Sequence, residues 1–449
     1  RFRLLTAGSR TAPPRQKTLR GAVDWSHELL PEPERALWRR LAVFAGGFTL
    51  AAAETVCAQA DLPQDDVLAL LHRLVDKSLV IADEQGGERR FRMLDTLREY
   101  GLEKLRAAGE ETAVRSRHYD WCLALAQAVA AQQWGPQWAV GYDRLEREHD
   151  NLRAALEGCR STQVGAARGV RLAWTLLHFW DTWGHVQEGR QRVAELLTLA
   201  ADPPVRALAL TLAGSLATCH GDFRDAARSG EAGLAIWVML GDQLGQARCL
   251  IVLGLAAHLA GELDRAVPLL EESLTLFRAV DDGVWVRHTL YYLAEALIGQ
   301  GDYRRARSLH EECLALRRAA GDRVLPFSLL RLAHLAILEG DPARALALGR
   351  ESFPLWEPRF KRGLAFALEI MGAIAITVGQ AERAVCLVGA ADRIRRSSGL
   401  GADTGALADR EQLLAAAAAR LGEEAYAAAW SQGQSLSPEQ ATAYALGLG

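Results

Sequence analysis

The chain has 449 residues, of which 50% are hydrophobic and 24% are charged. This composition supplies apolar side chains for two or three structural units and excludes a largely disordered chain. The 52 Lys and Arg residues stand against 55 Asp and Glu residues, a net charge of −3, which argues against a generally basic nucleic-acid-binding protein.

The seven cysteines are isolated from one another along the chain. Their spacing indicates neither a zinc site nor a compact disulfide framework, and it is typical of buried thiols in a reducing compartment. No apolar run reaches the roughly 18 residues that a membrane-spanning helix needs. We therefore expect a cytoplasmic protein that does not enter a membrane.

The first hundred residues predict a small domain of helices with one β-hairpin. We predict helices over 18–30, 32–44, 49–55 (capped by Thr49), 65–75 and 94–108. Two strands are predicted over 78–82 and 89–93, around a turn at 84–87. Helices followed by a hairpin and another helix are typical of a winged helix.

A winged helix often binds DNA by placing one helix in the major groove. The helix in that position, residues 66–77, begins with acidic and apolar side chains. Only His72, Arg73 and Lys77 could contact phosphates, and the helix offers little for reading bases. We therefore expect no direct nucleic-acid contact by this chain.

A repeat of about 40 residues occupies the second half. Its marker is a glycine followed mostly by Asp or Glu, at Gly221, Gly261, Gly301, Gly340 and Gly379, with a weaker copy at Gly184. Each of the five glycines has a small residue seven positions before it and an alanine five positions after it. Such spacing predicts pairs of closely packed antiparallel helices joined at a glycine turn.

These offsets resemble the tetratricopeptide repeat, although each copy is about five or six residues longer than the family's usual 34. The fold class that follows is an all-α superhelix, a tetratricopeptide-like α-solenoid, preceded by a small winged-helix domain with one β-hairpin. We divide the chain into the end of a helical lid or linker (1–17), the winged helix (18–110), connecting helices (111–165), the repeats (166–400) and C-terminal capping helices (401–449).

In the tetratricopeptide family, the first helix of each repeat faces the inside of the superhelix. Similarity to the family places nine polar or aromatic residues on this surface, here called the inner lane: Arg171, Trp174, His178, Arg248, His258, His288, Tyr291, Glu295 and His334. Such side chains are suited to binding a protein, a peptide or a small-molecule inducer. The alternative is that they are ordinary solvated positions, with Trp174 filling core.

Several short segments of the sequence are more specific than its order of predicted helices and strands. They are Asp24-Trp25-Ser26 and the segments 40–50, 74–80, 93–100 and 145–155. Together they resemble the part of bacterial STAND ATPases that follows the nucleotide-binding core. Many such proteins are transcription regulators of the LuxR or AfsR type, in which a helical-repeat sensor follows the winged helix.

The resemblance implies that a longer parent protein carries an ATPase core that binds ATP or ADP and contacts this chain. The chain itself contains no G-x-x-x-x-G-K-[ST] motif, so we expect neither enzymatic activity nor a cofactor in this part. Adjacent carboxylates on helices and the scattered histidines indicate neither catalytic residues nor a metal site.

The family's nucleotide-sensing tripeptide falls on Met93, Leu94 and Asp95, where Leu94 replaces a histidine. Leucine cannot donate a hydrogen bond to phosphate, while Asp95 could cap the next helix.

The sequence therefore predicts the sensor and regulatory part of a STAND signalling ATPase that regulates transcription and binds an inducer or protein through the inner lane. The alternative is an adaptor that binds a peptide through its repeats without any nucleotide-linked switch.

Overall fold

The computed structural model describes residues 19–85, 87–160, 162–356, 361–397 and 410–447. The predicted lid or linker, residues 1–17, lies outside the described residues. The chain forms two compact units. Unit 1 contains residues up to 131, 141–179 and 194–201, and unit 2 contains 132–140, 180–193 and 202 onward.

Unit 1 begins with the predicted winged helix. Its elements are α1 (Leu19–Glu28), α2 (Glu32–Leu41), β1 (Phe48–Thr49), α3 (Leu50–Cys57), α4 (Gln64–Asp76), β2 (Ile81–Gln85), β3 (Glu88–Arg92) and α5 (Asp95–Ala107). Thr49 caps α3 as predicted, since its hydroxyl accepts a hydrogen bond from the amide of Ala52. Trp38, Phe48, Phe91 and Tyr100 are buried in the core of this domain.

The sheet has one strand more than predicted. β2 and β3 form the hairpin, and the two-residue β1 pairs antiparallel with β3 to give the order β1-β3-β2. So short a strand has no alternating pattern that a sequence could reveal. The first hairpin strand also begins later than predicted, at Ile81, because Ser78 has φ +58° in the turn after α4.

Four further helices lie wholly or largely in unit 1: α6 (Glu111–Ala130), α7 (Trp138–Arg147), α8 (His149–Gly158) and α9 (Gln163–Trp183). The side chain of Asn151 on α8 is buried and fixes the Gly46–Gly47 turn of the winged helix. Its oxygen accepts from the amide of Ala45 at 2.8 Å, and its nitrogen donates to the carbonyl of Gly47 at 2.8 Å. Arg90 on β3 forms a buried ion pair with Glu148, which precedes α8. The hairpin and the turn are thus both held by contacts with α8 and the residue before it.

The remaining helices are α10 (Val186–Leu199), α11 (Pro203–His220), α12 (Phe223–Leu240), α13 (Gln243–Leu259), α14 (Leu263–Ala279), α15 (Gly283–Gln300), α16 (Tyr303–Ala320), α17 (Leu325–Leu338), α18 (Pro342–Ser352), α19 (Lys361–Thr377), α20 (Ala381–Ser397), α21 (Arg410–Leu421), α22 (Glu423–Ser435) and α23 (Pro438–Leu446). In unit 2, α11 to α20 form five successive helix pairs. The last three helices pack against α20.

The repeat glycines lie in the turns between paired helices, as predicted. Gly301, for example, follows the last residue of α15 and has φ +81°. All six repeat glycines have positive φ, between 76° and 85°. A side chain at such a position would be strained, so the glycine pattern follows directly from the turn geometry.

A ladder of ion pairs joins the second helices of successive repeats. The arginine four residues after a turn glycine pairs with a glutamate of the preceding repeat, as in Arg265–Glu231 at 2.7 Å and Arg344–Glu311 at 3.0 Å. Arg305 and Glu271 form the corresponding pair between them. These side chains are about half exposed, so each pair contributes at most about 1 kcal/mol to stability.

All seven cysteines are free thiols, six of them buried and Cys219 exposed. Among the described residues, no helix combines the length and the apolar character needed to cross a bilayer.

Candidate functional site

The repeat helices of unit 2 carry six of the nine inner-lane residues. Arg248 and His258 are on α13, His288, Tyr291 and Glu295 are on α15, and His334 is on α17. The other three, Arg171, Trp174 and His178, are on the part of α9 that belongs to unit 1. There Arg171 is exposed, while Trp174 and His178 are half-buried. Six of the lane residues therefore share unit 2.

A buried polar cluster forms around Glu295. It consists of Tyr291 and Glu295 on α15, His310 on α16 and Arg331 on α17, and is called the Glu295 cluster below. The carboxylate of Glu295 lies 2.7 Å from Nη2 of Arg331 and 3.1 Å from Nε2 of His310. The Nε of Arg331 lies 3.4 Å from the Tyr291 hydroxyl. Two successive repeats thus meet at one carboxylate.

The surrounding charges decide how the cluster ionises. Burial opposes ionisation of Glu295, but Arg331 and then His310 outweigh it and hold the pKa of Glu295 below its usual value. Burial lowers the pKa of His310, against the opposing effect of Glu295. A neutral His310 with its proton on Nε2 donates a hydrogen bond to the carboxylate. This tautomer leaves Nδ1 without a proton, and Nδ1 has no acceptor nearby that would need one. At neutral pH the cluster therefore holds one carboxylate, one guanidinium and an uncharged imidazole.

Tyr291 lies among aromatic and cationic neighbours. Its ring makes an edge contact with the His310 ring at 5.4 Å, and the guanidinium of Arg317 lies 5.1 Å from its centre. Burial, and then the charge of Glu295, raise the pKa of Tyr291 to about 12, so its hydroxyl keeps its proton at neutral pH. The phenol therefore remains a hydrogen-bond donor in the lane.

His258 extends the cluster to a third repeat. Its side chain is half-buried, and it interacts electrostatically with Glu295 from α13. Burial lowers its pKa, with Glu295 opposing, and its Nδ1 has no hydrogen-bond partner. A buried ring nitrogen without a partner is costly unless a ligand or water satisfies it. His258 therefore offers a polar group for a ligand.

His288 is covered by a segment from much earlier in the chain. The ring of Trp134 lies 4.4 Å from the ring of His288. The amide of Arg323 donates to the carbonyl of Trp134 at 2.7 Å, and its Nε donates to the carbonyl of Gln133 at 2.6 Å. Residues 132–140 thus pack against α15 and the turn before α17 inside unit 2. Part of the lane is occupied by the chain itself.

The other two lane residues are less accessible than a solvated lane would suggest. Arg248 is half-buried, and burial lowers its pKa. His334 is buried, with 8% of its surface exposed. In unit 2, three of the nine predicted residues are brought together by electrostatic interactions, namely His258, Tyr291 and Glu295. His288 contacts Trp134 and Trp285, which are not among the nine.

Sequence reasoning missed His310, Arg331 and Trp134. His310 is on the second helix of its repeat, which the inner-lane rule leaves out. Arg331 falls one position after Leu330, which occupies the lane offset. Trp134 belongs to a segment that is distant along the chain, since its neighbour Gln133 lies 190 positions before Arg323. No repeat pattern carries that information.

The residues matched to the nucleotide-sensing tripeptide follow β3. Met93 is half-buried against the winged-helix core, and Leu94 is 48% exposed at the N-cap of α5. Asp95 was predicted as a possible cap, but it is the first helical residue and the cap makes no side-chain hydrogen bond. Its carboxylate instead lies in the first turn, where the helix dipole favours negative charge.

Two family matches agree with the two units of the fold. Residues 30–106 match the winged helix-turn-helix domain, and residues 246–319 match the tetratricopeptide repeat. The chain is 38% identical over 311 residues to "Putative HTH-type transcriptional regulator Mb0914c" of Mycobacterium bovis. The match covers 67% of this chain and 35% of that protein, so the chain spans about a third of the length of this relative.

Two solved structures share the fold at low identity. One is the STAND protein with a tetratricopeptide repeat sensor, PH0952, from Pyrococcus horikoshii, with 14% identity, TM-score 0.50, and coverage of 95% of this chain and 65% of that one. The other is a Rap protein complexed with Competence and Sporulation Factor, with 13% identity, TM-score 0.53, and coverage of 77% and 96%. The chain contains a winged helix-turn-helix domain followed by tetratricopeptide-like helical repeats.

Proposed function

We propose that this chain is the sensor and regulatory part of a transcription-regulating STAND ATPase, and that a peptide inducer or protein partner binds in the inner lane beside the Glu295 cluster. The observation that carries the proposal is the convergence of three successive repeats on one carboxylate. His258 on α13, Glu295 on α15 and Arg331 on α17 interact there. Ordinary solvated positions would not concentrate buried charge in this way.

The chemistry of the lane suits a peptide better than a purely apolar ligand. The Tyr291 hydroxyl and the His258 ring can exchange hydrogen bonds with backbone amides and carbonyls. Tyr291 also supplies a flat aromatic surface, which is typical of residues that dominate binding energy in protein interfaces. The Rap structure, which shares the fold, was solved with Competence and Sporulation Factor bound. An elongated ligand would touch several repeats at once.

The link to transcription and to ATP rests on relatives. The Mycobacterium bovis protein is named for transcriptional regulation, and the Pyrococcus horikoshii protein is named as a STAND ATPase with a tetratricopeptide repeat sensor. In our proposal the parent protein binds ATP or ADP in a separate core, and the winged helix relays ligand binding to that core. This chain then holds no cofactor, performs no catalysis and makes no contact with nucleic acid.

Phage-displayed heptapeptides selected on the wild-type chain test the binding step. We expect enriched peptides to bind Tyr291→Phe and His258→Ala at least about tenfold more weakly, since each change removes a polar group in the lane. Tyr303→Phe, on the exposed start of α16, and His72→Ala, exposed on α4, are the matched controls. Peptides that bind all four variants like wild type would refute binding in the lane.

A second measurement tests the ATPase link in the full-length parent. We expect an enriched peptide to change the rate of ATP turnover in the wild-type parent and to have no effect in its His258→Ala variant. A parent that hydrolyses no ATP, or one whose turnover ignores the peptide, would remove the nucleotide-linked switch from the proposal. The remaining function would then be that of a peptide-binding adaptor.

A further inference from the structure

Arg317 is exceptional among the buried arginines. Five arginines are buried in the described residues, and four have carboxylate partners: Arg40 with Glu110 and Asp61, Arg90 with Glu148, Arg331 with Glu295, and Arg395 with Glu369. Arg317 is 2% exposed and has no carboxylate within ion-pair distance among the described residues. Buried charges are ordinarily paired, because leaving water is costly.

Only part of the Arg317 guanidinium is used inside the protein. Its Nη1 donates to the carbonyl of Val324 at 3.0 Å and to the hydroxyl of Ser328 at 2.9 Å. Its Nε has no hydrogen-bond partner, and no acceptor is described for Nη2. The carbonyl end of α16 and the Tyr291 ring offset part of the charge. The edge formed by Nε and Nη2 is the edge that grips a carboxylate through two parallel hydrogen bonds.

Arg317 lines a cleft of about 440 Å³ within unit 2. Trp138 and Trp356 both line the cleft, together with three prolines, Pro136, Pro326 and Pro354. The guanidinium of Arg323 lies 4.0 Å from the centre of the Trp138 ring and so holds that wall in place. This volume is within the range of small-molecule sites, which combine apolar walls with a few polar groups.

The charge of the lining is positive. Three arginines (317, 318 and 323) and one carboxylate, Asp322, line the cleft. Asp322 is already paired with Arg287 at 3.1 Å, and Arg318 is paired with Glu351 at the exposed surface. Arg317 therefore remains as the buried cation without a counter-charge. A buried cation of this kind, in a cleft that two tryptophans also line, suits an anion that has an apolar part.

We propose that the cleft lined by Arg317, Trp138 and Trp356 binds a small ligand that joins a carboxylate to an apolar or aromatic body. The carboxylate pairs with the Arg317 guanidinium, and the apolar body packs on Trp138 and Trp356. This site adjoins the inner lane through the contact between Arg317 and the Tyr291 ring, but Arg317 is on the second helix of its repeat and the cleft is built around the turn after it. The proposal does not depend on peptide binding in the lane.

Saturation-transfer NMR on the wild-type chain tests the role of the carboxylate with two matched probes. N-acetylphenylalanine carries the carboxylate, and N-acetylphenylalaninamide has a neutral amide in its place. We expect the acid to bind at millimolar or lower concentration and the amide to bind at least about tenfold more weakly. Equal binding of both probes, or binding of neither at 10 mM, would overturn the proposal. This comparison needs no variant.

Three variants then locate the site. Arg317→Met should lose at least about tenfold in affinity for the acid, and Arg317→Lys should keep more of it because the charge remains. Arg278→Met is the control, because Arg278 occupies the position of Arg318 one repeat earlier, pairs with Glu312 and lies outside the cleft. Unchanged affinity in folded Arg317→Met would overturn the assignment. If Arg317→Met fails to fold, Arg317→Lys takes its place. An Arg317→Lys protein with the same affinity as wild type for the acid, and the same affinity as wild type for the amide, would then overturn the assignment.

Two further probes distinguish the sources of such a carboxylate. 4-Phenylbutyrate stands for a free organic acid, and N-acetylglycylphenylalanine stands for the C-terminus of a peptide. Tighter binding of the first supports a free acid as the ligand, and tighter binding of the second supports a peptide C-terminus. His258→Ala should leave the affinity for either probe unchanged, so a failure here is distinguishable from a failure of peptide binding in the lane. Loss of probe binding in His258→Ala would contradict a separate site.

Discussion

The guanidinium of Arg331 lies 2.7 Å from the carboxylate of Glu295, and both side chains are buried between successive repeats. Removing one charge leaves the other buried without a partner. We expect Glu295→Gln to lower the free energy of unfolding of the repeats by about 3–5 kcal/mol. Urea denaturation followed by circular dichroism measures this loss.

Glu271→Gln is the matched control for that change, because it breaks an ion pair with Arg305 between half-exposed side chains. We expect it to cost less than about 1 kcal/mol. The double variant Glu295→Leu/Arg331→Met should be more stable than the single variant Glu295→Leu, since no unpaired charge remains in the double variant. A Glu295→Gln protein as stable as Glu271→Gln would show that the pair is not held in the interior.

Asn151 links α8 to the winged helix through two side-chain hydrogen bonds. We expect its removal to lower the local stability of the turn that it contacts. Asn151→Ala leaves the amide of Ala45 and the carbonyl of Gly47 without their partner. Each unsatisfied buried group costs about 1–3 kcal/mol, so we expect faster hydrogen exchange across residues 43–48. Mass spectrometry of exchanged peptides measures it, and exchange in the repeats should not change.

The exposed neighbour Asp150 provides the control for Asn151. Asp150→Asn keeps the shape of the side chain and should leave exchange across residues 43–48 as in wild type. Equal protection of these residues in Asn151→Ala and wild type would mean that the turn is held by other contacts.

His118 should make the stability of unit 1 depend on pH. Burial lowers its pKa to about 4 in the folded protein, below the ordinary 6.5, with the hydrogen-bond interaction with Asn151 opposing. A lowered pKa contributes stability that is present above pH 6.5 and is lost as pH falls through 4, because the unfolded chain takes up the proton first. We expect a loss of about 2 kcal/mol between pH 7 and pH 5 from this residue.

His118→Phe isolates that contribution, because the imidazole already contacts the Phe44 ring edge-on and the Trp121 ring at a tilt. Urea midpoints of the two proteins at pH 7 and pH 5 should show a smaller decrease for the variant. The same decrease in both proteins would assign the pH dependence to other groups.

The repeat architecture followed from the sequence because each turn requires a glycine with positive φ, and Gly301 with its counterparts recurs in register. The winged helix was also predictable from its order of elements, apart from β1, whose two residues leave no pattern. The site was only partly predictable. Offsets from the turn identify which face of a first helix a residue occupies, and they located Tyr291 and Glu295. They carry no information on second helices or distant segments, which supply His310, Arg317 and Trp134.

The chain alone should neither bind ATP tightly nor hydrolyse it, because its sequence has no phosphate-binding loop. Titration calorimetry with ATP should show no heat of binding at micromolar concentration. An affinity near 1 μM, about −8 kcal/mol, would contradict this expectation and require a nucleotide site of a different kind.

The central claim, that the ligand enters at the inner lane, is tested most directly by photo-crosslinking. An enriched heptapeptide carrying benzoylphenylalanine is irradiated on the wild-type chain, and mass spectrometry locates the modified residues. We expect modification on α13, α15 and α17, at or beside His258, Tyr291 and Arg331. Modification confined to the second helices α14 and α16, with none on those first helices, would contradict it.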